Sequence, residues 1–208
     1  MDKLLSSKFI VIDGPDGCGK STQALLIGEW LEQQGIDIVR YRDPGTTDIG
    51  EQIRNILLDQ ANEKMDTRTE LLLYMAARAQ LWAEEISPAL DQGKWVILDR
   101  WLSSTCAYQG FAARFGINNV ISIAEDSLEK PWPDLTIILD VDLDTAKPRL
   151  NAQLDRMEQK GDAFHKSVRE GFLELANNNE GFVVVDASGT IEDVHNQLVK
   201  VIKEKFTT

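Results

Sequence analysis

Short runs dominated by apolar residues recur along the chain at 8–13, 36–41, 95–98, 135–141 and 182–185, and three of them close on an acid, Asp13, Asp99 and Asp186. Runs of this length without in–out alternation are what strands buried on both faces look like. Between them the period changes. From 20 to 34, Ala24, Leu25, Ile27 and Leu31 recur at helical spacing and Gly35 supplies a stop. Residues 49–58 are helical in pattern, 68–90 predict a long helix with Pro88 near its end, and 191–206 predict a closing helix. Asp43-Pro44-Gly45 reads as the turn after the second strand.

Apolar strands alternating with helices predict an α/β fold, a five-stranded parallel sheet with helices on both faces. Ligands of such sheets sit at the carboxyl ends of the strands. Here three strand ends carry residues capable of chemistry: 14–21, 43–47 and Asp99-Arg100. No repeat, low-complexity segment or linker divides the chain, so the expectation is one domain over 1–208.

Composition narrows the partners. The 208 residues carry 34 acidic and 22 basic side chains, a net charge of −12. A nucleic-acid-binding surface needs cations to displace counterions from phosphates, so no nucleic-acid partner is expected, although a small phosphorylated ligand needs only a few local cations. Cys18 and Cys106 stand alone, without the spacing of a zinc site or disulfide framework. No stretch approaches the roughly 18 apolar residues of a membrane span. These features predict no membrane association and a cytoplasmic protein.

The sharpest local signal is Gly14-Pro15-Asp16-Gly17-Cys18-Gly19-Lys20-Ser21, followed by Thr22, a complete GxxxxGK[ST] between a strand and a helix. The glycines allow backbone N–H groups to turn toward phosphate oxygens, and the helix start adds the positive end of its dipole. Lys20 is expected to reach the β- and γ-phosphates and the Ser21 hydroxyl to ligate magnesium. No Asn-Lys-x-Asp guanine-reading motif is present. Asp99 suits a magnesium carboxylate, directly or through an intervening ligand, or a base for the acceptor oxygen; Arg100 suits a phosphate clamp.

Taken in order, these segments resemble the thymidylate kinase family of P-loop nucleoside-monophosphate kinases over nearly the whole chain. The resemblance rests on residues 9–22, Arg42-Asp-Pro-Gly-Thr, Arg54-Asn-Ile-Leu-Leu and Tyr74-Met-Ala-Ala-Arg. It continues through Asp99-Arg-Trp, the Ser104 to Gly110 stretch, Leu154-Asp-Arg-Met-Glu and Asp186-Ala-Ser. It implies the three-layer P-loop NTPase fold, ATP and Mg2+, transfer of the γ-phosphate to dTMP giving dTDP, and a homodimer. Asp16 would contact the sugar 3′-hydroxyl. Tyr74, where the family usually has Phe, would stack on the base, with Arg78 one helical turn on meeting its edge. Arg100, helped by Arg54, would bind the acceptor phosphate, and Thr105 and Tyr108 would line base and sugar. Ala187 falls in the loop that passes the adenine of ATP.

Several positions depart from the family pattern. Asp43-Pro44-Gly45-Thr46-Thr47 lacks one glycine of the usual Glu-Pro-Gly-Gly-Thr, and Trp101 replaces Tyr or His. The expected lid, around 146–161, is poor in arginine, with Leu150 and Asn151 in a stretch often basic. Some relatives place a catalytic arginine after the acid of the phosphate loop; Gly17 stands there, which leaves Arg149 and Arg156. Their seven-residue spacing puts both on one face if the segment is helical, and Pro148 weighs against that. Two other readings stay open: a deoxynucleotide kinase of another base preference, and a nucleotide-binding regulator without transfer.

Overall fold

The computed structural model describes residues 6–150 and 154–206. The apolar runs become strands β1 (Phe9–Asp13), β2 (Ile38–Arg42), β3 (Trp95–Asp99), β4 (Leu135–Asp140) and β5 (Phe182–Asp186). They form one sheet in the order β2-β3-β1-β4-β5, every neighbouring pair parallel. Central β1 is buried throughout, which is why its sequence runs apolar on both faces. Its register sets Ile10 beside Ile97 and Leu135, while Arg42 of β2 pairs with Asp99 of β3. Asp13, Asp43 and Arg100 therefore leave the sheet along one carboxyl edge.

Helices α1 (Lys20–Gln33), α2 (Asp48–Leu58), α3 (Thr67–Leu81), α4 (Ser87–Asp91), α5 (Leu102–Thr105), α6 (Ile117–Ser127), α7 (Leu143–Ala146), α8 (Asp162–Asn177) and α9 (Ile191–Phe206) fill the connections. Alternate residues of the strands feed two cores. Ile10, Ile12, Ile97 and Ile137 pack with Ala24, Ile27 and Leu31 of α1 and Leu198 and Ile202 of α9. Phe9, Val11, Val96 and Leu98 pack on the opposite face with Leu71 and Met75 of α3 and Val120 and Ala124 of α6. Full burial of each of the Val, Leu, Ile, Met and Phe side chains among them contributes about 1.5–3 kcal/mol.

The long helix expected over 68–90 is interrupted. A π-helical turn, Trp82–Ile86, separates α3 from α4, with the Ser87 N–H donating to the Trp82 carbonyl. Pro88 has no N–H and its ring needs the space where the carbonyl of Glu84 would sit; the widened turn ahead of it makes that room. α6 and α8 lie in stretches for which the sequence pattern predicts no element. A second π turn, Cys106–Ala112, extends α5 and carries Tyr108 and Gln109 under the carboxyl edge.

Candidate active site

At the end of β1 the chain turns on glycines in the left-handed region, Gly17 at φ 78° and Gly19 at φ 97°. No other residue fits at Gly17, where a Cβ would stand 2.5 Å from the Ala146 carbonyl oxygen. The loop wraps around Lys20, whose Nζ donates to the carbonyls of Pro15 at 2.6 Å and Gly14 at 3.1 Å. The Cys18 thiol lies in the same buried nest, 3.6 Å from that ammonium, and burial pushes its proton affinity up.

Asp13, which closes β1, reads in the sequence only as a strand end. It is fully buried and accepts from the Gly14 N–H (2.8 Å), the Ser103 hydroxyl (2.6 Å) and the Ser104 hydroxyl (2.7 Å). One carboxylate thus fixes the phosphate loop to the start of α5. Beside it the Ser21 hydroxyl donates to Asp99 at 2.5 Å, bringing the two expected magnesium-side oxygens together.

Arg100 adopts φ 68°, a conformation costly for any side chain bearing a Cβ, and its N–H is held by the Ile12 carbonyl at 3.1 Å. The kink turns the guanidinium back over the loop. There it closes on Asp16, lies 3.8 Å from Asp13 and donates to the Ser104 hydroxyl at 3.1 Å. The Tyr108 hydroxyl donates to the other Asp16 oxygen at 2.6 Å. Burial pushes the Asp16 carboxyl up, but Arg100, Lys20 and the Tyr108 hydroxyl outweigh it and hold Asp16 below the ordinary value. Burial and the same carboxylate raise the Tyr108 phenol. Arg54 faces this group with its charge only partly offset by Glu51: burial, then Arg42 and Arg100, lower its proton affinity. Three guanidiniums converging with too few acids are suited to an anion.

Deeper in, Arg78 of α3 lies on the Trp101 ring, 5.2 Å from its centroid. Its Nε and Nη2 both donate to one oxygen of Asp43, and Nη2 also reaches the Trp101 carbonyl (3.2 Å) and Thr105 (3.0 Å). Tyr74 stands one turn before Arg78 on the same face, its phenol raised by burial and then by Glu70. Thr46, at the position of the missing glycine, takes the left-handed φ of 73° itself. Its N–H donates to Glu51 at 2.7 Å, and its hydroxyl bonds the backbone of Arg42, offsetting a conformation that a β-branched residue rarely takes.

One cleft of about 760 Å³ collects Asp16, Gly17, Cys18, Gly19, Lys20, Ser21 and Thr22 with Arg54, Tyr74, Arg78, Asp99, Arg100, Thr105, Tyr108, Arg149 and Ala187. Gly14 and Pro15 serve it from behind, through the carbonyls that hold Lys20. Arg149 reaches across to the Ala187 carbonyl at 3.0 Å, at the end of β5. Arg156 is placed differently. It is buried, donates through Nε to the Leu57 carbonyl at 2.7 Å and pairs with Glu70 at 2.6 Å, outside the cleft lining. The shared helix face expected for Arg149 and Arg156 does not form. α7 stops at Ala146, Pro148 sits in a 3-10 turn, Lys147–Arg149, and 156–159 is a turn. Asn151, one of the departures noted in the sequence, lies outside the described residues.

Besides Asp13, the sequence pattern does not disclose the parts played by Asp43, Glu70, Gln109 and Gln23. Asp43 and Gln109 line the cleft; Gln109 donates to Glu70 at 2.7 Å, and Gln23 to the Ile191 carbonyl at 2.9 Å, beside the Ala187 loop. Asp43 at a strand end, Gln109 in the 104–110 stretch and Gln23 close behind the phosphate loop have a local signal of place, and Glu70 has none.

Comparison with known proteins gives one answer. A family model described as thymidylate kinase matches residues 12–198. The chain is 42% identical over 194 residues to a thymidylate kinase of Fervidobacterium nodosum, covering 93% of this chain and 97% of that protein. It is 41% identical over 199 residues to one of Finegoldia magna, covering 95% and 98%. A solved thymidylate kinase from Ehrlichia chaffeensis superposes with a TM-score of 0.77 at 32% identity, over 95% of this chain and 99% of that one.

Proposed function

The chain belongs to the thymidylate kinase family, and from that premise we propose how its residues carry the γ-phosphate of ATP to dTMP, giving dTDP. The observation that carries the reading is the cleft's double set of cations: Lys20 held inside the phosphate loop, and the Arg42, Arg54 and Arg100 cluster beside that loop. A donor triphosphate and an acceptor monophosphate meet between them, with their anions neutralised before transfer.

Gly14 to Thr22 cradle the donor phosphates, and Lys20 leaves its own loop carbonyls for the β- and γ-oxygens. Arg100 and Arg54 hold the acceptor phosphate, Asp16 and Tyr108 the sugar, and Tyr74, Arg78 and Thr105 the base. Asp99 stands at the strand end as the acid of the site. The Ser21–Asp99 contact fits Mg2+: a hydroxyl and one carboxylate suit an ion that takes its remaining ligands from phosphates and water. Among the described residues no group of three or more His, Cys, Asp or Glu forms an all-protein cage. When bound, the ion offsets charge on the phosphate oxygens. Arg149, exposed at the cleft mouth, supplies the further cation, while Arg156 holds the turn that follows.

We read the chain as one domain, with 146–161 as its lid, of which 151–153 lie outside the described residues. Ile49 and Ile56, seven residues apart on α2, and Leu72 on the neighbouring α3 expose 50%, 46% and 57% of their surface, which supports a homodimer through these helices. The net charge of −12 speaks against a nucleic-acid partner. No described helix is long and apolar enough to cross a membrane. Cys18 and Cys106, free and buried, suit the reducing cytoplasm. Assaying the purified protein with ATP, with and without Mg2+, against a panel of deoxynucleoside monophosphates tests the reading. dTMP is expected as the best acceptor; a purine monophosphate in its place refutes the pocket assignment.

A further inference from the structure

Arg78 and Asp43 are 1% and 2% exposed, deep for a charged pair, and the way they are joined is unusual. A carboxylate stabilising an arginine for its own sake meets the fork with both oxygens. Here Oδ2 alone takes Nε (2.8 Å) and Nη2 (2.5 Å), and Oδ1 is buried with no hydrogen-bond partner. An unpaired buried oxygen is unfavourable, so stability alone does not account for the arrangement. What it does achieve is immobility. Nε and Nη2 are occupied by Asp43, the Trp101 carbonyl and Thr105, and the guanidinium carbon stands over the Trp101 ring, 5.2 Å from its centroid. Nη1 has only the Met75 sulfur, at 3.4 Å, and guanidinium hydrogens are donors that cannot be exchanged for acceptors.

We propose that Asp43 sets base selectivity as a positioning residue, by fixing Arg78 as a rigid donor at the base end of the cleft. A pyrimidine presenting a carbonyl there is accepted, and one presenting an amino group is refused. This rests on the reading of Arg78 as a contact of the acceptor base. Thymine and uracil carry an oxygen at the position where cytosine carries an amino group. Against a fixed donor the amino group leaves N–H facing N–H, and discrimination by an unpaired polar group is far stronger than discrimination by size. A mobile arginine would swing aside and lose that discrimination.

The test measures kcat/KM for dTMP, dUMP and dCMP at saturating ATP, in the wild type and in Asp43→Asn, which keeps the size but not the charge. The expected result is a dTMP-to-dCMP preference narrowed at least about tenfold, with KM for ATP within a few-fold of wild type. A side chain that only supported the fold would lower all three acceptors together and leave the ratio unchanged, and that outcome overturns the proposal. Should Asp43→Asn fail to fold, Asp43→Glu replaces it, since the longer carboxylate keeps the charge but cannot hold Nε and Nη2 of Arg78 in the same place. Its ratio must narrow likewise, and an unchanged ratio is equally fatal. A wild type that does not phosphorylate dTMP brings down the functional reading instead, so the two failures are distinguishable.

Discussion

Replacing Arg100 with Ala removes the guanidinium that closes on Asp16, stands 3.8 Å from Asp13 and bonds Ser104. Asp13 keeps its donors from Gly14, Ser103 and Ser104, so its burial stays compensated. Asp16 keeps the Tyr108 hydroxyl and the fields of Lys20 and, more weakly, His165. Breaking a buried pair from one side costs about 3–5 kcal/mol. Because the two side chains are 21% and 14% exposed and Tyr108 remains, the expected cost falls to about 2–3 kcal/mol, or about 4–12 °C in Tm. Loss of the acceptor-phosphate clamp adds a kinetic effect, about 2–5 kcal/mol or a 30- to 5,000-fold fall in kcat/KM for dTMP. KM for ATP should stay within a few-fold. The acid limb gives a further check. Asp16 titrates below its ordinary value of 3.8 in the fold, so its contribution is complete above that pH and is lost as pH falls through the lowered value. The Tm gap between wild type and variant should therefore shrink below about pH 4. Steady-state kinetics and thermal melts across pH decide it. Unchanged dTMP kinetics with weakened ATP binding would place Arg100 on the donor side, and a Tm gap that widens in acid would refute the electrostatics.

Lys20→Ala should keep the wild-type circular dichroism spectrum and abolish transfer; near wild-type turnover would remove the ATP-site assignment. Arg149→Ala should lower kcat at least about 100-fold with a smaller change in ATP affinity, whereas Arg156→Ala, which takes from the buried Glu70 carboxylate its nearest cation, should show chiefly in Tm. Turnover of the Arg149 variant within a few-fold of wild type means that the lid does not supply the catalytic cation. Gly17→Ala drives a Cβ to 2.5 Å from the Ala146 carbonyl at φ 78°, so a loss of both ATP affinity and kcat is expected, and unaltered kinetics would contradict the close approach of the loop to α7.

The strands and the phosphate loop were legible because their signals are local: buried runs such as Phe9–Asp13, and a glycine spacing imposed by backbone conformation. α6 and α8 were not read, although Val120 and Ala124 of α6 and Val168, Phe172 and Leu175 of α8 recur at helical spacing; what those residues bury against lies far off in the chain. Within the site, most residues named by a motif fell into the cleft, but the pairs that hold them did not announce themselves. Asp43 and Arg78 are 35 positions apart, and Asp13 and Ser103 are 90 apart. The placement of Arg156 was illegible for the same reason. Its partner Glu70 lies far back in the chain, and Pro148 denies the segment the helix on which the spacing argument depended.

Glu70 makes the consequences of change interdependent. This buried carboxylate on α3, one turn from Tyr74, pairs with Arg156 at 2.6 Å, has the Lys160 ammonium at 3.8 Å and accepts from Gln109 at 2.7 Å. The base helix, the turn bearing Tyr108 and the segment after the lid are thus tied to a single charge. Substitutions at Arg156, Lys160 and Gln109 act on a shared partner, so their effects will not sum, and a double-mutant cycle between any two should close with a sizeable interaction energy. In descent, this knot restricts the order in which replacements can accumulate: a neutral residue at 70 is tolerable only after Arg156 has lost its charge, and the reverse path passes through an orphaned ion in the interior.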